Sequence, residues 1–338
     1  MMNKVKFKSI DEILGSKESR FFGIGYRRVS QNIRSINFST KLNYTEVVAV
    51  GRVQYPVNWS IKSDEIEIKP HLSSIDALLL AMQFCDCFLS IRFNLSDTQK
   101  RKMWLRKFMM RAGTNPMEEI DDFNISLNHI QTTPTQSLFC SHVTTTNVIV
   151  GNIKIQCEIE HDVGVDHELF FENNQFINFN FENRQPNHHI YENGYKNVDH
   201  KIENVEIDVE KQQATAQIIS QYSGFTIEDG MSAAYHPTLT TIDCMVVIAQ
   251  LGQALLYTID HIPRSETNTL WMREIHMQCD NPQQSLSSCI ATNSITKTRL
   301  TPMKGKTWRV AEMLGQFHGF SVKYSVAHEL PDQVLIVV

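Results

Sequence analysis

The residues of this chain whose types and spacing could do chemistry come in pairs 167 positions apart. Asp76 and Asp243 each sit in an Ile-Asp step, within Leu72-Ser-Ser-Ile-Asp-Ala-Leu-Leu-Leu-Ala-Met-Gln83 and Leu239-Thr-Thr-Ile-Asp-Cys-Met-Val-Val-Ile-Ala-Gln250. The same ungapped offset carries Trp104 and Arg106 onto Trp271 and Arg273, and His161 onto His328. A carboxylate so placed can serve as a general base toward a hydroxyl or a carbon acid. At the start of a helix it can equally hold the unpaired N–H groups of the first turn, so both roles stay open for Asp76 and Asp243.

Gln83 and Gln250 lie seven positions beyond the aspartates, two turns along nearly the same helical face. Their amides suit an acyl carbonyl or a sugar as well as neighbouring backbone. Trp104 and Trp271 are core anchors or walls of an acyl tunnel. Arg106 and Arg273 can grip a phosphate or carboxylate with two parallel bonds, or pair with the helix aspartates. The histidines that are not repeated carry the asymmetry a single site needs. His71 stands opposite Thr238, His236 opposite Lys69 and His276 opposite Met109. Each can relay protons near neutral pH or simply precede and cap a helix.

The elements that hold these residues follow from the apolar pattern. Ser73/Ser74 and Thr240/Thr241 are N-cap types, each followed by an apolar stretch of about 18 residues, too long for a strand and apolar on most sides. The expectation is two buried helices ending near Ser96-Asp97 and Pro263. Lys102 to Met110 and Leu270 to Met277 read as strands, on which Trp and Arg two apart share a face. Further β-branched runs at 46–55, 137–145, 148–160, 212–220, 307–314 and 320–328 also read as strands. The fold class expected is α+β, a double hotdog: two tandem repeats, each a long buried central helix wrapped by an antiparallel sheet.

The expected divisions are a segment 1–40 packing on the first repeat, a first repeat 41–165, a connection 166–203 and a second repeat 204–338. The connection contains eight asparagines between 173 and 197, with Pro186 and Gly194.

Ser9-Ile-Asp-Glu-Ile-Leu-Gly15 followed by Arg20-Phe-Phe-Gly-Ile-Gly-Tyr26 resembles the opening of the avirulence protein D (AvrD) family of plant-associated bacteria, and the similarity runs through most of the chain. The resemblance implies the making of syringolide-type elicitors, acylated sugars built from a β-ketoacyl thioester and a pentulose such as xylulose. It implies an acyltransferase or condensing enzyme in which Asp76 or Asp243, with or without His71 or His236, acts as base. Gln83, Gln250, Trp104, Arg106, Trp271 and Arg273 would contact substrate. The partners implied are a β-ketoacyl carrier protein or β-ketoacyl coenzyme A as donor and a keto-sugar as acceptor, with no cofactor. The repeat pair would close as a monomer or associate again as a homodimer.

A second resemblance runs to thioester-handling hotdog enzymes, whose His-Pro-x-x-x-Asp spacing is close to His71-Leu-Ser-Ser-Ile-Asp76. His236-Pro-Thr-Leu-Thr-Thr-Ile-Asp243 keeps the His-Pro but is two residues longer. Leu80 and Val247 occupy the position one turn after the acid, where dehydratases carry Gln or His. The alternatives are therefore a dehydratase, hydratase or thioesterase, and a non-catalytic acyl-binding or effector protein.

Composition narrows the partners. With 32 Lys+Arg against 37 Asp+Glu the net charge is −5, which offers no basic footprint for nucleic acid or an anionic membrane. The charged first twenty residues lack a signal-peptide core, and the apolar run 77–82 is far short of a span, so a cytoplasmic location is expected, a bacterial one by the family resemblance. Seven scattered cysteines suggest no disulfide framework, and neither Cys85-Asp-Cys87 nor His188-His189 has metal-site spacing.

Overall fold

Each long helix begins on a reciprocal cap. Ser73, extended at φ −83° and ψ 163°, accepts the Asp76 N–H at 3.1 Å, while the Asp76 carboxylate accepts the Ser73 N–H at 3.3 Å. Thr240 and Asp243 form the same box. Two first-turn donors are thereby satisfied, and the apolar run that follows has a defined start. In the computed structural model, which describes residues 4–41, 44–62, 69–165, 178–179, 189–267, 270–303 and 305–331, the two helices cover 19 and 20 residues.

In chain order the elements are β1 (Lys4–Ser9), α1 (Asp11–Leu14), β2 (Ser30–Lys41), β3 (Tyr44–Gln54), α2 (Ser74–Arg92), α3 (Asp97–Lys102) and β4 (Trp104–Arg111). There follow β5 (Phe123–Pro134), β6 (His142–Val150), β7 (Ile153–His161), β8 (Asn178–Phe179), β9 (Val198–Asp208) and β10 (Gln213–Tyr222). The chain continues through α4 (Thr241–Asp260), β11 (Trp271–Cys279), β12 (Cys289–Met303), β13 (Lys306–Phe317) and β14 (Phe320–Glu329).

One antiparallel sheet runs β1-β9-β10-β12-β13-β14-β11-β4-β7-β6-β5-β3-β2-β8. The order reads the same from either side of a central seam, where β4 pairs with β11, Met109 opposite His276. Each half consists of seven of these strands and one long helix, α2 packing on β2, β3, β6 and β7, and α4 on β9, β10, β12 and β13. The class is α+β.

Ile75 to Leu89 are buried without a break, and α4 is buried on nearly all sides. Covering a leucine or phenylalanine fully contributes roughly 1.5–3 kcal/mol, which explains why helices apolar all round end up inside a curled sheet. Both helices are long and apolar enough to cross a membrane, a point the short run 77–82 had concealed, but 89% and 78% of their apolar windows are covered by the protein itself. All seven cysteines are free thiols.

Three expectations are corrected. The segment 1–40 does not stay with the first half: β1 pairs with β9, Lys4 opposite Asp208, and α1 rests on α4, while β2 joins the first half. The run 148–160 is not one strand but the β6–β7 hairpin, turned at Gly151, whose φ is +57°. A Cβ there would lie 2.2 Å from Met117 Sδ, so glycine answers both the backbone and the packing.

Third, the end of the expected connection belongs to the repeated frame. The bonds Gly25 N–H to Arg20 O and Tyr26 N–H to Phe21 O recur as Gly194 N–H to His189 O and Tyr195 N–H to Ile190 O. The rings of Tyr26 and Tyr195 stack at 6.1 Å. Residues 166–177 and 180–188 of that connection lie outside the described residues.

Candidate functional site

A cleft of about 750 Å³ opens at the start of α2, with Ser73 and Ser74 in its wall. This is within the size range of small-molecule sites. The loop 112–117 after β4, the start of β11 and the later part of α4 complete it. Its walls are mainly apolar and aromatic, with Phe21, Trp59, Trp271 and Trp308 among them. Trp59 packs edge-on against Tyr55 at 5.0 Å and Phe21 at 5.6 Å, and His71 lies 5.3 Å from Trp271. A Cβ at Gly25 would be 1.9 Å from the Trp59 carbonyl, so the Gly-Ile-Gly step lets the loop 20–26 lie directly on Trp59.

Behind Ser73 sits Asp76, fully buried. Its carboxylate accepts from Ser73 Oγ at 2.5 Å, Gln31 Nε2 at 2.6 Å and the Tyr55 hydroxyl. Tyr55 is also 2.8 Å from the His71 carbonyl. Burial pushes the Asp76 carboxyl above its ordinary range, against the downward pull of its bonds from Ser73, Tyr55 and Gln31. A buried carboxyl so raised, one hydrogen bond from a hydroxyl in the cleft wall, is suited to take up and return a proton. The Asp76 N–H goes to Ser73 Oγ and the Ala77 N–H to the Ser73 carbonyl. The helix itself leaves the Ser74 and Ile75 N–H groups at the same end, where the dipole favours negative charge.

The second aspartate has different company. Asp243 accepts from Thr240 Oγ1 at 2.8 Å and lies 3.0 Å from His200 Nε2, whose Nδ1 is 2.9 Å from Ser220 Oγ. His200 and Asp243 are both buried, and neither they nor Thr240 line the cleft. His200 occupies on β9 the place of Gln31 on β2: each sits beside its half's helix aspartate.

Of the residues singled out in sequence, the structure brings His71, Trp271 and Arg273 into the cleft wall, with Asp76 one hydrogen bond behind it. The others lie elsewhere. Gln83 donates to the Tyr191 carbonyl at 2.8 Å, and Gln250 to the Val246 carbonyl one turn earlier at 3.2 Å. Both amides serve buried backbone. Trp104 Nε1 and Arg106 Nη1 each reach an oxygen of Glu160 at 3.2 Å, so they share a face as expected but serve β7. Arg273 bonds the Gly113 carbonyl at 3.2 Å, and neither arginine pairs with a helix aspartate. His236 packs against Tyr222 at 4.5 Å, outside the cleft, and burial lowers its pKa. His276 pairs with Glu274 at 2.6 Å.

Ser73 was legible only as a cap, and Gln31 and Tyr55 gave no sequence signal at all. Five cations also line the cleft, Arg20, Lys62, Arg264, Arg273 and Arg299, with no carboxylate among its described lining residues.

The family model described as Pseudomonas avirulence D protein (AvrD) matches residues 5–331. No curated protein matches the chain. Among solved structures, an acyl-CoA thioesterase II from Mycobacterium marinum is 7% identical, with TM-score 0.34, covering 88% of this chain and 95% of its own. The 12:0-ACP thioesterase from Umbellularia californica is 8% identical, with TM-score 0.37 and coverage of 84% and 94%. A polyketide synthase dehydratase domain from Brevibacillus brevis is 9% identical, with TM-score 0.34 and coverage of 87% and 96%.

Proposed function

The chain belongs to the Pseudomonas avirulence D protein (AvrD) family, and from that premise we propose that it is an enzyme of acyl thioesters, joining a β-ketoacyl thioester to a small keto-sugar. The fold is read as a double hotdog, its two helices being the cores of the two repeats. The observation that carries the proposal is the hydrogen bond from Ser73 Oγ to the buried Asp76 carboxylate at the mouth of an aromatic-walled cleft.

In this reading the acyl chain lies along the apolar wall near Met117, Leu270 and Trp271. A sugar hydroxyl gives its proton to Ser73 Oγ as Ser73 passes its own to Asp76, and the sugar oxygen attacks the thioester carbonyl. The N–H group of Ser74, at the positive end of α2 in the cleft wall, receives the developing oxyanion. The C–S bond breaks, and the thiolate leaves with the proton returned from Asp76 through Ser73. Ring closure between the acidic α-carbon and the sugar ketone would follow in the same cleft or in solution. Holding both substrates in one cleft supplies much of the acceleration. The donor is a β-ketoacyl coenzyme A or carrier protein, and Asp76, rather than Asp243, is the base.

Purified protein with β-ketoacyl thioesters and a panel of ketopentoses tests this, thiol release and acyl-sugar mass being followed together. Sugar-dependent release with a condensed product supports the proposal. Release that ignores the sugar makes the protein a thioesterase, and a retained acyl ligand without release makes it a binding protein.

A further inference from the structure

Two of the cleft's cations, Arg20 and Lys62, gather around a third, Arg264. Its Nη1 and Nη2 donate to the carbonyls of Ile61 at 3.0 Å and Ser19 at 3.3 Å, the residues immediately before Lys62 and Arg20. The Lys62 Nζ in turn donates to the Thr267 carbonyl at 2.7 Å, and Thr267 Oγ1 to the Arg264 carbonyl at 2.8 Å. The loop after α4 is thus laced to the loops holding Arg20 and Lys62, and all three side chains line the cleft.

Arg20 is the telling member. Its side chain is only 4% exposed, and one nitrogen, Nη2, meets Asp11 at 2.5 Å. Nε and Nη1 are buried and find no hydrogen-bond partner among the described residues. Leaving such donors unmet is costly, more so beside like charge. Burial first, then Arg264, pushes Lys62 down to about 8, and burial lowers Arg20, with Asp11 pulling the other way and Arg264 adding to the fall. Three cations side by side in a partly buried cleft wall, Arg20 with two buried donors unmet, favour an anionic ligand there. A planar guanidinium suits the oxygens of a phosphoryl group, and two of the three cations are arginines.

We propose that Arg20, Lys62 and Arg264 form a subsite for a phosphoryl group carried by one of the two substrates. The substrate role rests on the reading of the cleft as the acyl-thioester site; the anion binding does not. Two sources share this chemistry: the phosphates of a coenzyme A or phosphopantetheine donor, and the phosphate of a phosphorylated keto-sugar.

The test is titration calorimetry on the whole protein with two matched pairs, 4′-phosphopantetheine against pantetheine and a ketopentose 5-phosphate against the free ketopentose. The expected result is that the phosphorylated member of one pair binds at least tenfold tighter, and which pair does so names the source. Arg264→Gln should abolish that preference, Arg264→Lys should restore part of it, and Lys297→Gln, an exposed cation on β12, should leave it intact. Should Arg264→Gln melt early, Lys62→Gln carries the test and must lower the preference tenfold. Equal binding within both pairs, or a preference that survives the Gln variants, overturns the subsite. Phosphate preference without thiol release keeps the subsite and removes the enzyme reading. Turnover with the same KM for both members of each pair does the reverse.

Discussion

Asp76 and Asp243 close the same capping box 167 residues apart, yet only the capping hydroxyl of Asp76, Ser73 Oγ, stands in the wall of the cleft. The scaffold repeats and the site does not. Asp76→Asn and Ser73→Ala should each lower kcat by about 10²-fold or more with the fold intact, since both break the proton path. Asp243→Asn should instead cost about 1–3 kcal/mol of stability through the buried His200 contact, leaving kcat within about threefold. Urea unfolding beside steady-state rates checks this. A folded, inactive Asp243→Asn protein would place the chemistry in the other half.

How much of this was readable in advance depends on what spacing can carry. The two helices were legible because cap, acid and apolar run are contiguous in each copy. The β6–β7 hairpin was hidden inside Val148-Ile-Val-Gly-Asn-Ile-Lys-Ile155, where the Gly-Asn step is a turn within one β-branched run. β5 and β12 were missed although Phe123, Ile125 and Leu127 alternate inward, because polar residues between them dilute the signal. The site was the harder part. Gln31 and His200 occupy equivalent places but differ in type and fall at another offset, and Lys62 meets Thr267 across more than two hundred residues. Local pattern reports neither.

Acid should unfold the protein partly through His161. It is buried, with Nε2 at 2.6 Å from Thr144 Oγ1 and Nδ1 at 2.6 Å from the Asp162 carbonyl, and burial, the largest cause, holds its pKa down at about 4. The folded pKa lies below the unfolded one, so the unfolded state binds the extra proton as pH falls. Stability is full above about 6.5 and lost progressively toward 4, by about 2 kcal/mol between pH 6.5 and 5. His161→Gln should flatten that decline in urea midpoints at the two pH values. An unchanged slope would show that His161 does not govern it.

Arg106 is a structural arginine. It is 38% exposed and shares Glu160 with buried Trp104. Arg106→Ala should cost about 1 kcal/mol or less, given solvent screening, and leave kcat/KM unchanged. Thermal melts and rates together decide it, and a tenfold loss of kcat/KM would return Arg106 to the substrate.

Trp271 is the residue through which acyl length should be felt. Trp271→Ala removes the ring that packs on His71 and walls the cleft. KM should rise at least tenfold for a long β-ketoacyl thioester and less than threefold for a short one. Equal rises at both lengths would place the chain elsewhere.

Acyl transfer from a thioester to a sugar through the Ser73–Asp76 pair is the proposed reaction. The most direct measurement is free-thiol release from a β-ketoacyl thioester, with and without a ketopentose, by the wild-type protein and by Asp76→Asn, with the product mass read in the same reaction. Sugar-dependent release, an acyl-sugar of the condensed mass, and loss of both in Asp76→Asn are expected. Thiol release that is indifferent to the sugar, or that persists at the wild-type rate in folded Asp76→Asn, would contradict the proposed reaction.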